Sequence, residues 1–419
     1  MTEIEQLAAV AENMKKEQIS RRDLIATQTS INVSDEEVEG MNRLFYNHCL
    51  NKKALRTFAG MAPATFQKNI DEAIATGVIS EPIYQNKQHL FTRFHIEKLM
   101  EYWGKPKYRD NYKPRVISVQ NQKGGTGKST TAETIATASA LDLQLNAKVC
   151  LIDMDPQGTL GQSKIANADN DAIYLTIIDM ILGDIEPDGE FQSLIKSGMT
   201  EKEVIQKAAF NTHLPNLDVY PAFSTDERFI DLFWQQKDDS AKQALITRLA
   251  NKIIPTLQEV YDIIIIDTPP QESPLIWAAN EALDCLLAPL SPRAYDFDAT
   301  TNYMLTNTAR MMSLPSKGKN LLWGRLLVVN HDENSRTERE QIEKLSKSVQ
   351  NKLLSTYLIH SELIVAASDL KRTALDVAKS EKLVSPQKHK EAMTSISSVY
   401  NQIIREIKAI SVKEETDHV

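Results

Sequence analysis

Beyond residue 115 the chain alternates two kinds of apolar pattern. Short runs rich in β-branched residues, "RVISVQ", "KVCLIDMD", "LDVYPAF", "YDIIIIDTPP", "CLLAPLS" and "LLWGRLLVVN", predict strands. Between them lie stretches with apolar residues at helical spacing, among them Lys128 to Leu143 and Gln243 to Ile254. Strands that are apolar at nearly every position have no face to offer water, so helices must cover both sides of a parallel sheet. This predicts an α/β domain over residues 115–419. Before residue 110 the pattern is mainly helical. "KKALRTFAGMAPATFQKNIDEAIATGVI" (Lys52 to Ile79) reads as a helix, a tight turn at Gly60 and a second helix from Pro63, with Ala64, Phe66, Ile70, Ala73 and Ile74 facing inward. "IYQNKQHLFT" reads as two short strands around Asn86 and Lys87. The opening "EIEQLAAVAENMKK" places Ile4, Leu7, Ala8, Val10, Ala11 and Met14 on a stripe that packs either on its own domain or against a partner. "WGKPKYRDNYKPR" is polar, basic and twice interrupted by proline, which marks a linker. The expected organisation is therefore a helical segment at 1–42, a helix-turn-helix unit at 43–102, a linker at 103–114 and the α/β domain.

Composition narrows the class. With 419 residues the chain is too long for one ordinary core, and 42% hydrophobic with 25% charged residues is the balance of a soluble globular protein. The net charge of −8 argues against a protein coated in nucleic acid. The charge is uneven, however. Arg43 to Lys113 holds twelve basic and six acidic residues, whereas the first 42 hold four and nine. Cys49, Cys150 and Cys285 have no metal-ligand spacing and read as reduced thiols. No apolar run approaches the ~20 residues of a membrane span, and the start has no signal-peptide core, so a cytosolic protein is expected.

The chemistry concentrates in "VQNQKGGTGKSTT" (Val119 to Thr131), which follows a strand and opens a helix. Gly124, Gly125 and Gly127 allow backbone N–H groups to approach phosphate oxygens, and the helix N-terminus adds a favourable dipole. The nucleotide-binding set runs from Lys123 through Thr126 to Thr130, with Lys128 reaching the β- and γ-phosphates and Ser129 on magnesium. The usual first glycine of such a loop is replaced by Gln122, and a second lysine, Lys123, stands five residues before Lys128. "VCLIDMDPQG" is an apolar strand ending in Asp153 and Asp155, whose two-residue spacing puts both on one side, toward magnesium or a water attacking the γ-phosphate. Four isoleucines lead to Asp267, as in a strand whose terminal aspartate holds magnesium.

Together, K-G-G-x-G-K-[ST], D-x-D-P-Q and I-I-D-T-P-P resemble the deviant Walker A loop and switches of the ParA/MinD family of ATPases. The resemblance implies ATP and ADP as ligands, Mg2+ as cofactor and a homodimer in which Lys123 reaches the partner subunit's nucleotide. It gives Asp155 the task of orienting the hydrolytic water, Asp153 a supporting place and Asp267 the metal. It also places Asn330, after "LLVV", on the adenine and Pro289 beside it, although either position also fits ordinary strand-end turn chemistry.

The front segment most resembles the large ParA partition proteins, which carry a winged helix-turn-helix domain before the ATPase. Thr65, Gln67 and Lys68 are then the groove-facing candidates and Lys87 lies on the wing, against the plainer reading of two packed helices. Lys371 and Arg372 lie where such proteins carry basic residues for sequence-independent DNA binding, or else on a solvated face. The implied activity is partition of plasmids or chromosomes, with hydrolysis stimulated by a ParB-type partner, autorepression through the front domain, and nucleoid association or filaments on DNA. A MinD-like membrane role is disfavoured by "SVKEETDHV" after the last helix, and an iron–sulfur relative by the cysteine placement. A nucleotide-sensing transcriptional regulator remains the alternative.

Overall fold

The computed structural model describes residues 3–29, 43–85, 87–158, 160 and 174–413. It divides into two units, Met1–Lys105 and Pro106–Val419.

The first unit opens with the helix Glu3–Thr29, whose Ile4, Leu7, Val10 and Met14 are all exposed. Residues 30–42 of the expected N-terminal segment lie outside the described residues, as does Asn86. After the short helix Arg43–Asn47 comes β1 (Leu50–Asn51), then the helices Lys52–Ala59 and Pro63–Ala75. Asn51 caps the first of this pair by accepting from Ala54 N at 2.9 Å. Gly60 ends it at φ +71°, a left-handed conformation that a side chain resists, and Pro63 starts the next. β2 (Ile83–Gln85) and β3 (Gln88–Phe91) form a hairpin, and β1 adds to the far edge of β3 in the order β1-β3-β2. The helix Arg93–Tyr102 closes the unit. Leu55, Phe66, Ile70, Ala73, Phe91 and Leu99 are buried, and Phe66 meets Phe91 edge-on at 6.4 Å. Of the inward positions expected on Pro63–Ala75, Ala64 is exposed. It lies two residues from Phe66, which at 3.6 residues per turn carries it to the opposite face.

The second unit is a seven-stranded sheet in the order β10-β9-β4-β8-β5-β7-β6, parallel except for β6. The strands are β4 (Arg115–Val119), β5 (Val149–Asp153), β6 (Phe210–Asn211), β7 (Leu217–Tyr220), β8 (Ile263–Asp267), β9 (Cys285–Leu290) and β10 (Trp323–Val328). The four isoleucines of β8 show why the sheet needs cover on both sides. Ile263 and Ile265 join the core that contains Ile135, Ala136, Ile396 and Ile403, whereas Ile264 and Ile266 join that of Ile178, Phe229 and Leu275. The helix Lys128–Leu141, built from Ala, Thr and Ser, lies flush on the first face with almost every residue buried. The last helix, Pro386–Ala409, packs Val399, Ile403 and Ile407 into the same core, as its spacing implies. Among the described residues no helix is long and apolar enough to cross a membrane.

The expected linker 103–114 is corrected in its second half. Residues 106–114 belong to the α/β unit and contain the helix Tyr108–Asn111. Arg109 donates from Nε to Asp262 Oδ1 at 2.8 Å and from its other nitrogens to the Glu259 and Val260 carbonyls. A planar five-donor guanidinium satisfied on three sides anchors a segment whose proline and charge content suggested a free connection.

Candidate nucleotide-binding site

The C-terminal ends of β4, β5 and β8 bring the candidate residues together. In the glycine turn after β4, Gly125 and Gly127 have φ of +75° and +72°, where any other residue is strained. The carbonyl of Lys123 closes the turn by accepting from Thr126 Oγ1 at 3.1 Å and from Lys128 Nζ at 3.4 Å. The loop stem was missed from the sequence. Lys123 N donates to Asn121 Oδ1 at 3.1 Å, and Asn121 Nδ2 donates to the Pro289 carbonyl at 2.8 Å. Only the amide-rich spelling "QNQ" before the glycines hinted at it. Lys128 is buried at the start of its helix. Burial lowers its pKa, while the nearby Asp267 and Asp155 carboxylates pull it back up. Ser129 and Thr130 follow, each half-buried.

Asp267, at the end of β8, is fully buried, and neither carboxylate oxygen has a hydrogen-bond partner of full geometry. Its pKa is driven well above the ordinary value, first by burial and then by Asp153, with the Ser129 hydroxyl and the Lys128 ammonium opposing. A dry, unpaired carboxylate is costly unless a cation completes it. The hydroxyl of Ser129 and the carboxylates of Asp267 and Asp153 are hard oxygen donors, which suit magnesium.

Asp153 ends β5 directly opposite Asp267 in the sheet register. The strand stops there, which corrects the alternation argument for Asp155. Asp155 lies beyond it in a turn: its N–H donates to Asp153 Oδ1 at 3.0 Å, and its own Oδ1 accepts from Gln157 N at 3.1 Å. It still stands near enough to act on Lys128 and Asp267.

A family model described as an AAA domain matches residues 114–321. The chromosome partitioning protein ParA of Myxococcus xanthus is 32% identical over 194 residues, covering 46% of this chain and 57% of that protein. Plasmid partition protein A of Escherichia coli is 24% identical over 256 residues, 58% of this chain and 60% of the relative, so the match spans less than two thirds of either protein's length. A solved structure described as a partition protein superposes with a TM-score of 0.61 at 17% identity, over 96% of this chain and 98% of its own. The matched region is similar to ATPases of the ParA type, and the solved partition protein shares the fold of the chain.

Against that family pattern, the remaining candidates fall in different places. Asn330 follows β10 in a left-handed conformation, φ +54°, with Oδ1 2.5 Å from His360 Nδ1. Pro289 is buried inside β9 rather than at its end, and the structure ties it to the loop only through its carbonyl. In the first unit Thr65, Lys68 and Lys87 are exposed, while Gln67 accepts from Lys52 Nζ and donates to Asp71 Oδ1 at 2.6 Å. Lys371 is half-buried with φ +55° just after the helix Glu362–Asp369.

Arg372 is corrected. Its side chain is 2% exposed and pairs at 2.9 Å with Glu381, itself 8% exposed, so it is a structural ion pair rather than a surface contact for DNA. The basic spelling "LKR" hid this, because the acid that neutralises it comes nine residues later. Arg372→Ala strands a buried carboxylate and is expected to cost about 3–5 kcal/mol, read as a fall in thermal unfolding midpoint. Wild-type stability in that variant would show the pair to be dispensable.

Proposed function

We propose that the chain is a magnesium-dependent ATPase that partitions DNA. The observation that carries this is the meeting of a buried lysine, a hydroxyl and an unpaired buried carboxylate at one glycine turn, Lys128, Ser129 and Asp267. Lys128 and the loop N–H groups bind the phosphates of ATP or ADP, and Asn330 contacts the base. Ser129, Asp267 and Asp153 are the residues to hold magnesium, which when bound neutralises charge on the β- and γ-phosphates. Asp155, at the turn, orients the attacking water. Lys123, at the loop head, supplies charge to the nucleotide of a second copy, so that ATP loading and pairing are one event.

The relatives named as partition proteins support DNA as cargo; on this reading a ParB-type protein is the activator and the chain works in the cytosol on the nucleoid. In the first unit, the helix pair and the three-stranded sheet support reading it as a winged helix-turn-helix. Thr65 and Lys68 are then placed to read an operator and Lys87 to touch phosphate.

The test measures phosphate release with and without DNA and activator, and DNA binding across ATP, ADP and no nucleotide. ATP-dependent, sequence-indifferent binding that weakens steeply with salt, together with stimulated turnover, is expected. Nucleotide binding without any hydrolysis, under all conditions, would leave a nucleotide-sensing regulator instead.

A further inference from the structure

Gln120, Asn121 and Gln122 are three consecutive amides at the stem of the glycine turn, and each is tied outside the loop. Gln120 Oε1 accepts from Tyr303 Oη at 3.2 Å and Asn307 Nδ2 at 3.4 Å. Asn121 Nδ2 lies 3.3 Å from Thr300 Oγ1. Gln122 Nε2 donates to Glu272 Oε2 at 3.1 Å, and Glu272 Oε1 accepts from Arg310 Nε, also at 3.1 Å. Thr300, Tyr303, Asn307 and Arg310 recur every three or four residues along the helix Ala294–Ser313, so the stem is laced to one helical face.

Glu272 is where the lacing converges. It stands five residues after Asp267, and its Oε1 also accepts from Trp277 Nε1 at 2.6 Å, while the Arg310 guanidinium lies 4.1 Å from the Trp277 ring centroid. Three segments thus meet on one carboxylate: the phosphate loop, the helix Pro274–Ala282 and the helix Ala294–Ser313.

We propose that Glu272 is a positioning residue that locks the head of the phosphate loop to the segment following Asp267, so that Lys123 and the metal carboxylate keep a fixed relation. The inference rests on the ATPase reading. Arg310 and Trp277 hold this acceptor still. The tie through Gln122 then restrains a turn whose glycines otherwise leave it loose.

The experiment uses the full chain with Glu272→Ala, Glu272→Gln and Gln122→Leu. Glu272→Ala and Gln122→Leu are expected to lower kcat by about ten- to a hundredfold while ATP affinity stays within about threefold, since misplacement harms the reaction more than ground-state binding. Glu272→Gln should stay within about threefold of wild type in kcat, because its amide still accepts from Trp277 and donates to the Gln122 carbonyl. An equal loss in Glu272→Gln and Glu272→Ala would overturn the proposal, making the ion pair rather than the tie to the loop the cause.

Trp277 gives a readout independent of turnover. Its emission, taken as the difference between the wild type and Trp277→Phe, should shift on adding ATP, and Gln122→Leu should abolish that shift. Should Glu272→Ala not fold, Gln122→Leu carries the test alone, since it leaves Glu272, Arg310 and Trp277 in place. Wild-type kcat and an intact emission response in Gln122→Leu sink the coupling. A wild-type protein that never hydrolyses ATP sinks the ATPase reading instead, whatever the emission does.

Discussion

Asp267→Asn is expected to slow ATP hydrolysis by about 10²–10³ and, in the same protein, to raise the unfolding midpoint without nucleotide. The two effects have one cause. Asp267 is fully buried at the end of β8, beside Asp153, and its pKa is driven well above the ordinary carboxylate value by burial and by that neighbour, against the opposing Ser129 hydroxyl and Lys128 ammonium. Above a pH of about 4 the unfolded chain ionises this side chain freely, while the folded chain holds its proton or bears an unpaired charge. The contribution of Asp267 to stability is therefore largest at low pH. It is lost as pH rises from the ordinary carboxylate value toward the higher folded one. An amide has no such loss, so the gap between variant and wild type should open with rising pH across that window. Each kcal/mol gained moves the midpoint by roughly 1 °C at this chain size, because the unfolding entropy grows with length. The same substitution removes the charged oxygen donor for magnesium, and loss of one such electrostatic contact typically costs about 10²–10³ in kcat. Paired scans at several pH values and a phosphate-release assay decide it. A variant less stable than wild type at neutral pH would show that the carboxylate is satisfied after all.

Such a site is legible in sequence to the extent that it is local. The four isoleucines before Asp267 can only be a strand buried on both faces, and the glycines at 125 and 127 announce left-handed turns. That Asp153 and Asp267 both stand at strand ends follows from those patterns, whereas the order that sets β5 beside β8 does not. What escaped depends on distant partners. Period-two reasoning carried Asp155 one turn too far, because where β5 ends is set by the turn that Asp153 itself caps. Residues 106–114 looked like a free connection, because the carboxylate that seats Arg109 lies 153 positions away. Arg372 looked exposed because nothing in "LKR" reveals the burial of its neighbours. The amide stem of the loop is spelled plainly, yet Glu272 and Tyr303, which hold it, come 150 or more residues onward.

Lys123→Ala should separate nucleotide binding from everything that follows it. The loop uses the main chain of Lys123, not its side chain, as the acceptor for Thr126 and Lys128 and as the donor to Asn121. Alanine keeps all three bonds, so the glycine turn should retain its shape and ATP affinity should stay within about threefold of wild type. Lys128→Ala, which removes the buried cation at the helix start, should instead lose binding itself. In the proposed mechanism the Lys123 ammonium serves a second copy's phosphates, a contribution comparable to a charge supplied in trans, worth about 10³–10⁵ in rate. The variant should bind ATP yet remain monomeric and fail to respond to activator and DNA. Sedimentation with and without ATP, alongside phosphate release, reads both consequences on one preparation. Wild-type pairing with wild-type stimulated turnover would remove the role in trans and leave Lys128 as the only lysine the loop needs.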